Sequence, residues 1–219
     1  KKNYLNFLKS QEILSEPFRD KIGQLNKFYY PLCQRIFKTY IKDKKTKIIG
    51  LTGGQGSGKS TMSNILKIIL ENGFNLKTAI FSIDDFYKTH RERKIMSKNV
   101  SNLFLTRGVP GTHDTKLLKI CLKKLKSSNF RYISIPRFDK SRDDRSPKKN
   151  WQIIKKKQDI VIFEGWCVGV APQKNKDLLV PINELEKEKD KNKIWRKRVN
   201  QELKNEYKKV FSLIDLSLF

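Results

Sequence analysis

Glycine is the residue that loses most conformational freedom on ordering. Yet the stretch GLTGGQGSGKST (50–61) places it at positions 50, 53, 54, 56 and 58. Such density needs a reason: a turn with positive φ, or a main chain that something approaches too closely for a Cβ. Lys59 comes at once after it, so the approaching group is expected to be negatively charged. Before the cluster comes the short, β-branched run TKII, which reads as a strand over 46–53. After it comes KSTMSNILKIILENG (59–73), where Met62, Ile65, Leu66 and Ile69 share one helical face and Gly73 reads as the stop.

The segment GGQGSGKS (53–60) fits G-x-x-x-x-G-K-[ST], the P-loop. The mechanism accounts for each residue type. Backbone N–H groups of Gly53, Gly54, Gln55, Gly56, Ser57 and Gly58 turn inward around a phosphate. The helix starting near Lys59 adds the positive end of its dipole. Lys59 reaches the β- and γ-phosphates, the Ser60 hydroxyl ligates Mg²⁺, and Thr61 completes the ATP-binding set. A plain glycine-rich turn would need neither the flanking strand and helix nor the lysine. A protein-kinase glycine loop fits poorly, because there the lysine lies on a later strand. ATP and Mg²⁺ are therefore the expected cofactors.

With 219 residues, 37% of them hydrophobic and 11% aromatic, the chain is expected to fold as one α/β domain with a real core. It has no apolar run of about 18 residues, so no membrane span is expected. The opening KKNYLNFLKSQEIL does not read as a signal peptide. Cys33, Cys121 and Cys167 form no CxxC pair and suggest buried thiols in a reducing, cytoplasmic setting. The net charge of +26 raises nucleic acid as a partner. The lysines are scattered, however, and not interleaved with aromatics in a stacking platform, so a solvated surface is the preferred reading. Part of that charge would draw anionic substrates toward the site.

Periodicity marks further elements. Residues 16–42 read as helix, with Pro31 kinking or dividing it. Strands are expected over 77–84, 130–138 and 158–166, and helices over 114–128, capped by Asp114, and 184–214, with a loop near 187–193. DKSRDDRSPKKN (139–150) reads as loop, and DLSLF (215–219) as the start of one more strand, so the natural domain is expected to continue. Strands alternating with helices imply an α/β class with a parallel sheet.

Three stretches bear on where the phosphate goes. FSIDDFYKTH (81–90) puts Asp84 and Asp85 at the carboxyl end of a strand, the ligand-binding edge of such a sheet. A carboxylate there can accept a hydroxyl proton or help hold Mg²⁺; the alternative is a helix cap. IVIFEGW (160–166) ends a buried strand in Glu164, the place of a metal-ordering acid or of a residue that merely meets solvent. RGVPGTHD (107–114) is either a turn before a cap or a substrate-facing loop in which Arg107 and His113 grip a carboxylate or hydroxyl.

Taken together, GGQGSGKS, SIDDFY, RGVPGTHD, PRFDKSRDDR and IFEGW resemble the plant and fungal D-glycerate 3-kinase family over roughly residues 46 to 215. More distantly the chain resembles uridine kinase, phosphoribulokinase and pantothenate kinase. The resemblance implies a P-loop NTPase-type parallel sheet with helices on both faces. Residues 46–219 would be the kinase domain, truncated at its C-terminus, and 1–45 an N-terminal helical extension. It implies Asp84 as catalytic base, and Lys59 and Glu164 as its catalytic companions. Ser60, Asp84 and Glu164 would lie around the metal. Asp85, Tyr87, Arg107, His113, Asp139 and Arg142 would face the acceptor, with Arg145 an alternative to Arg142. The basic residues of WRKR (195–198) would be lid cations. The expected reaction is phosphoryl transfer from ATP to a small hydroxyl compound, D-glycerate first. A nucleoside- or pantothenate-type kinase, a nucleic-acid-stimulated ATPase and an inactive nucleotide-binding regulator are the alternatives.

Overall fold

The computed structural model describes residues 1–12 and 17–219. The helix expected over 16–42 begins at Glu16, which lies outside the described residues. The N-terminal region is built from α1 (Lys2–Gln11), α2 (Lys21–Gln24), a π-helical turn (Leu25–Tyr29) and α3 (Tyr30–Ile41). Pro31 has no N–H to close the α-helical bond to the residue four before it. The widened turn lies directly before it, where one turn absorbs the lost bond without ending the helix.

The chain then runs β1 (Lys47–Thr52), α4 (Lys59–Phe74), β2 (Thr78–Ser82), α5 (His90–Asn99) and α6 (Thr115–Lys126). Next come four short strands, β3 (Ile133–Ile135), β4 (Phe138–Asp139), β5 (Asp144–Arg145) and β6 (Gln152–Ile154), and then the central β7 (Ile160–Gly165). The last elements are α7 (Glu184–Lys189), α8 (Ile194–Glu202), a second π-helical turn (Leu203–Tyr207), α9 (Lys208–Phe211) and β8 (Leu216–Leu218). Asp114 caps α6 by accepting the Leu117 N–H at 3.0 Å. Helix α4 runs past Gly73 and stops at Asn75, which takes the left-handed conformation.

The main sheet is parallel throughout, in the order β2-β7-β1-β8. Residues alternate between its two faces, and both faces are covered. Ile49, Leu51, Ile160 and Ile162 face one way, into a core with Ile65, Leu66 and Leu70 of α4 and with Tyr4, Leu8, Leu25, Cys33 and Ile36 of the N-terminal segments. Ile48, Val161 and Phe163 face the other, into a core with Leu118, Cys121 and Leu122 of α6 and with Leu203, Tyr207 and Val210 near the C-terminus. Each such fully buried aliphatic or aromatic side chain contributes about 1.5–3 kcal/mol relative to exposure. The three cysteines are free and buried, and burial pushes their thiols up to about 12.

The expected strand over 130–138 shrinks to β3 and does not join the main sheet. It pairs antiparallel with β6. Its residues are buried only alternately, Ile133 and Ile135 inward and Ser134 outward, the pattern of a ribbon with one wet face. The loop expected over 139–150 contains the β4–β5 hairpin. Helix α5 has no apolar stripe and is not foreshadowed by periodicity; a capping box of Thr89 and Glu92 starts it. No helix among the described residues is long and apolar enough to cross a membrane.

Candidate active site

Chain order sets the place. From β1 the chain passes over β7 to reach β2, and from β7 it crosses back past β1 to β8. The carboxyl ends of β1 and β7 therefore border a crevice where the strand order reverses. In register, Thr52 lies beside Gly165, and Ser82 beside Glu164. Three segments leave the sheet at this edge: 53–58, 83–87 and 166–169.

The first is the glycine loop. Gly56 (φ +75°) and Gly58 (φ +81°) sit where L side chains are strained. A Cβ on Gly53 would come within 2.7 Å of Ser57 Oγ. The Met62 N–H donates to the Gly58 carbonyl, so α4 starts directly at the loop. Lys59 Nζ closes across it, donating to the Gly54 carbonyl at 2.6 Å. Residues 54–58 are exposed, Ser60 is exposed, and Thr61 is half-buried.

The second segment and the end of β7 bring carboxylates. The Asp84 N–H donates to Ser82 Oγ at 3.2 Å, which opens a single 3₁₀ turn after β2. The Asp84 carboxylate meets Lys140 Nζ at 3.2 Å. Glu164 is 9% exposed near the end of β7. Burial pushes its carboxyl above the ordinary glutamate value, and Asp84 adds to the rise, while Ser82 and the Lys59 charge oppose it. Asp84, Glu164, Lys59 and Lys140 thus form one electrostatic group at the mouth of the loop.

Comparison with known proteins gives this edge its context. Residues 48–200 match the family described as Phosphoribulokinase / Uridine kinase family. The chain belongs to that family. It is 40% identical over 132 residues to "Uncharacterized kinase mug58" of Schizosaccharomyces pombe, covering 57% of this chain and 47% of that protein. It is 33% identical over 134 residues to "D-glycerate 3-kinase, chloroplastic" of Arabidopsis thaliana, covering 57% of this chain and 29% of that one. The chain thus spans about half or less of these relatives' length. The solved D-glycerate 3-kinase of Cryptococcus neoformans superposes with a TM-score of 0.71 at 29% identity, over 86% of this chain and 71% of that one.

In this chain the other expected site residues go to different places. Arg107 lines a cavity of about 430 Å³ whose wall includes Gly54 and Gln55 of the glycine loop. Its guanidinium pairs with Asp143 and lies 5.5 Å from the Phe138 ring centroid. Asp85 turns from the crevice and braces the hairpin, accepting from Arg137 Nη1 at 3.1 Å and from the Phe138 N–H at 3.3 Å. Tyr87 is 4% exposed, and its ring stacks on His113 at 4.3 Å. Burial raises its phenol first, and the neighbouring Asp84 carboxylate raises it further.

His113 departs from the expectation of an acceptor-facing side chain. It is fully buried, with Nδ1 at 2.6 Å from the Tyr207 hydroxyl and Nε2 without a partner among the described residues. Burial, helped by the Lys88 charge, lowers it to about 3, so the imidazole is neutral and structural. Asp139 and Arg142 are not brought to the Arg107 cavity either. Asp139 folds onto its own turn, accepting from Ser141 Oγ at 2.6 Å and from the backbone of Ser141 and Arg142. Both line a separate cavity of about 600 Å³ with Asp144, Arg145 and Lys149. Arg145 donates instead to the Tyr87 carbonyl and to Asp114.

Of the expected lid cations, Arg196 is buried and paired with Asp190 at 3.1 Å, and Arg198 pairs with Glu202 at 2.8 Å. Sequence reasoning missed the cavity wall formed by Leu103, Val109, Trp166, Leu185 and Trp195. Trp166 carried a signal, since it stands two residues beyond Glu164. The tie from Tyr207 back to Gly111 and His113 spans more than ninety residues and left no local trace.

Proposed function

We propose that this kinase transfers the γ-phosphoryl group of ATP to a hydroxyl of a small molecule, and that the acceptor is D-glycerate, giving 3-phosphoglycerate and ADP. Residues 46–219 act as the kinase domain, and 1–45 as a helical extension of it. The observation that carries the reading is a glycine loop with two positive-φ glycines at the sheet edge where Glu164 of β7 lies in register with Ser82 and Asp84 follows β2 directly. The loop's amides and Lys59 hold the phosphates. Asp84 takes the proton from the acceptor O–H. The acceptor oxygen forms its bond to the γ-phosphorus, the bond to the bridging oxygen breaks, and the electron pair leaves with ADP. Asp84 later returns the proton to solvent.

Ser60, Asp84 and Glu164 present hard oxygen donors, the set Mg²⁺ prefers when it shares its shell with water and phosphate. Bound there, the ion would neutralise charge on the β- and γ-phosphate oxygens. The choice of D-glycerate draws support from the likeness to the Cryptococcus enzyme and from Arg107 in the wall beside the loop, a cation suited to a carboxylate. Three buried, unpaired thiols suit a reducing compartment, and we take it to be the cytoplasm.

The test is ADP release with D-glycerate, uridine and pantothenate supplied in parallel, and with RNA or DNA in a separate arm. D-glycerate should give the highest kcat/KM. Preference for uridine or pantothenate would overturn the acceptor. ATP hydrolysis that rises with nucleic acid alone would overturn the reaction class.

A further inference from the structure

Asp143 stands out among the charged residues away from the glycine loop. It sits in the β4–β5 hairpin at φ +52°, a left-handed conformation unusual for a residue with a Cβ. Three cationic or basic groups converge on its carboxylate. Arg93 Nη2 lies 2.9 Å away and also donates to the Asp143 carbonyl at 2.6 Å. Arg107 Nη1 pairs with the other carboxylate oxygen. His90 Nδ1 lies at 3.5 Å. Arg93 is fully buried, and its remaining donors go to the Lys88 and Leu105 carbonyls, so it is committed to structure.

Arg107 is different. Its side chain keeps 30% exposure, and no hydrogen bond beyond that to Asp143 is made among the described residues. Two guanidiniums against one carboxylate leave the cluster positive. Phe138 lies under both, its ring centroid 5.5 Å from Arg107 Cζ and 5.9 Å from Arg93 Cζ, within reach of a cation–π contact. Arg107 lines the cavity shared with Gly54 and Gln55. The same wall holds Trp166, tied to the Gly108 carbonyl at 3.1 Å, and Trp195, whose buried indole N–H has no partner among the described residues. A polar donor and a cation thus border a wall that is otherwise mostly apolar.

We propose that Asp143 is a positioning residue that holds Arg107 beside the glycine loop, so that the kinase selects a carboxylate-bearing acceptor over a neutral alcohol. This rests on the acceptor reading above and adds the residue that sets its selectivity. A guanidinium free on a flexible stem gains a carboxylate only after losing its own freedom. One already fixed by Asp143 and Phe138 has lost that freedom beforehand.

The experiment compares the full chain with Asp143→Asn and Arg107→Lys. D-glycerate and glycerol are titrated in the presence of a non-hydrolysable ATP analogue with Mg²⁺. Binding is read from tryptophan fluorescence, since two of the three tryptophans line the cavity. Turnover is read from ADP release. Asp143→Asn would keep the backbone carbonyl contact to Arg93 while weakening the hold on Arg107. Both variants should weaken D-glycerate binding and raise its KM about tenfold or more, as expected for a lost charged hydrogen bond. KM for ATP and the weak response to glycerol should stay at wild-type values, which general loosening of the fold would not spare. Unchanged glycerate-to-glycerol selectivity in Asp143→Asn, with wild-type turnover of D-glycerate, would overturn the proposal and leave the acceptor reading standing. D-glycerate bound in an Asp143-dependent way but never phosphorylated would do the reverse. No fluorescence response to D-glycerate in the wild type would overturn both.

Discussion

Replacing Tyr207 with Phe removes a single oxygen from the interior. That oxygen accepts the Gly111 N–H at 2.9 Å and lies 2.6 Å from His113 Nδ1. Tyr207 and His113 are both fully buried. The phenol O–H is satisfied when Nδ1 is the acceptor, a tautomer assigned from the network. In the variant neither Gly111 nor His113 meets water or another partner. A buried polar group left alone costs about 1–3 kcal/mol. Two such groups, each at the lower half of that range because ring packing is nearly unchanged, put the loss at about 2–4 kcal/mol. For a chain of this size that lowers Tm by roughly 5–15 °C. Urea unfolding followed by circular dichroism measures it, with the m-value as the check that the same surface unfolds. The kinetic consequence should be selective. The loop held by Tyr207 carries Arg107, so KM for the acceptor should rise while KM for ATP holds. A variant within about 0.5 kcal/mol of wild type would refute the reasoning, because no unsatisfied group would then have been created.

Asp84→Asn should bind ATP as wild type does and lose about 10²–10⁴ in kcat, the usual weight of a general base; retention of a tenth of the activity would exclude Asp84 from that role. Glu164→Gln should raise the urea midpoint while lowering activity. The folded-state carboxyl is raised by burial, so the charged form at neutral pH is a burden on folding that a neutral amide lacks. A lower midpoint would count against that sign. His113 titrates at about 3 when folded, against 6.5 when unfolded. Its contribution is therefore present above pH 6.5 and is lost as pH falls toward 3, where only the unfolded chain takes the proton, with a slope of about 1.4 kcal/mol per pH unit. His113→Asn should flatten the pH dependence of the urea midpoint across that window by one proton's worth.

Much of the architecture was legible because it is local. The strand, glycine loop and helix over 46–74 are dictated by residue types at fixed spacing, and so are β2, β7 and the Asp114 cap. The failures share a cause. Strand β3 reads like a sheet strand, but its partner is β6, some twenty residues on. Helix α5 lacks an apolar face because its buried residues are Arg93 and Ser97, held by hydrogen bonds rather than by hydrophobicity. In the site, residue types placed the loop, Asp84 and Glu164 at one edge of the sheet. They did not reveal direction. His113 and Arg107 stand in the same short stretch, yet the loop turns one into the core and the other toward the cavity. Asp84 and Asp85 are neighbours, yet one meets Lys140 at the crevice and the other braces Arg137. Those choices belong to contacts made far away in sequence.

The helix that springs from the glycine loop is covered from behind. Tyr4, Leu8, Cys33 and Ile36 lie against Ile65, Leu66 and Leu70, in the same interior as the sheet. A protein trimmed to residue 46 would keep the glycine loop, Asp84 and Glu164 and lose this backing. The bared leucines and isoleucines would face water, and the product would tend to clump in preparation. A well-folded glycine loop therefore depends on residues far upstream of it, and the opening helices are the wall against which its helix is mounted.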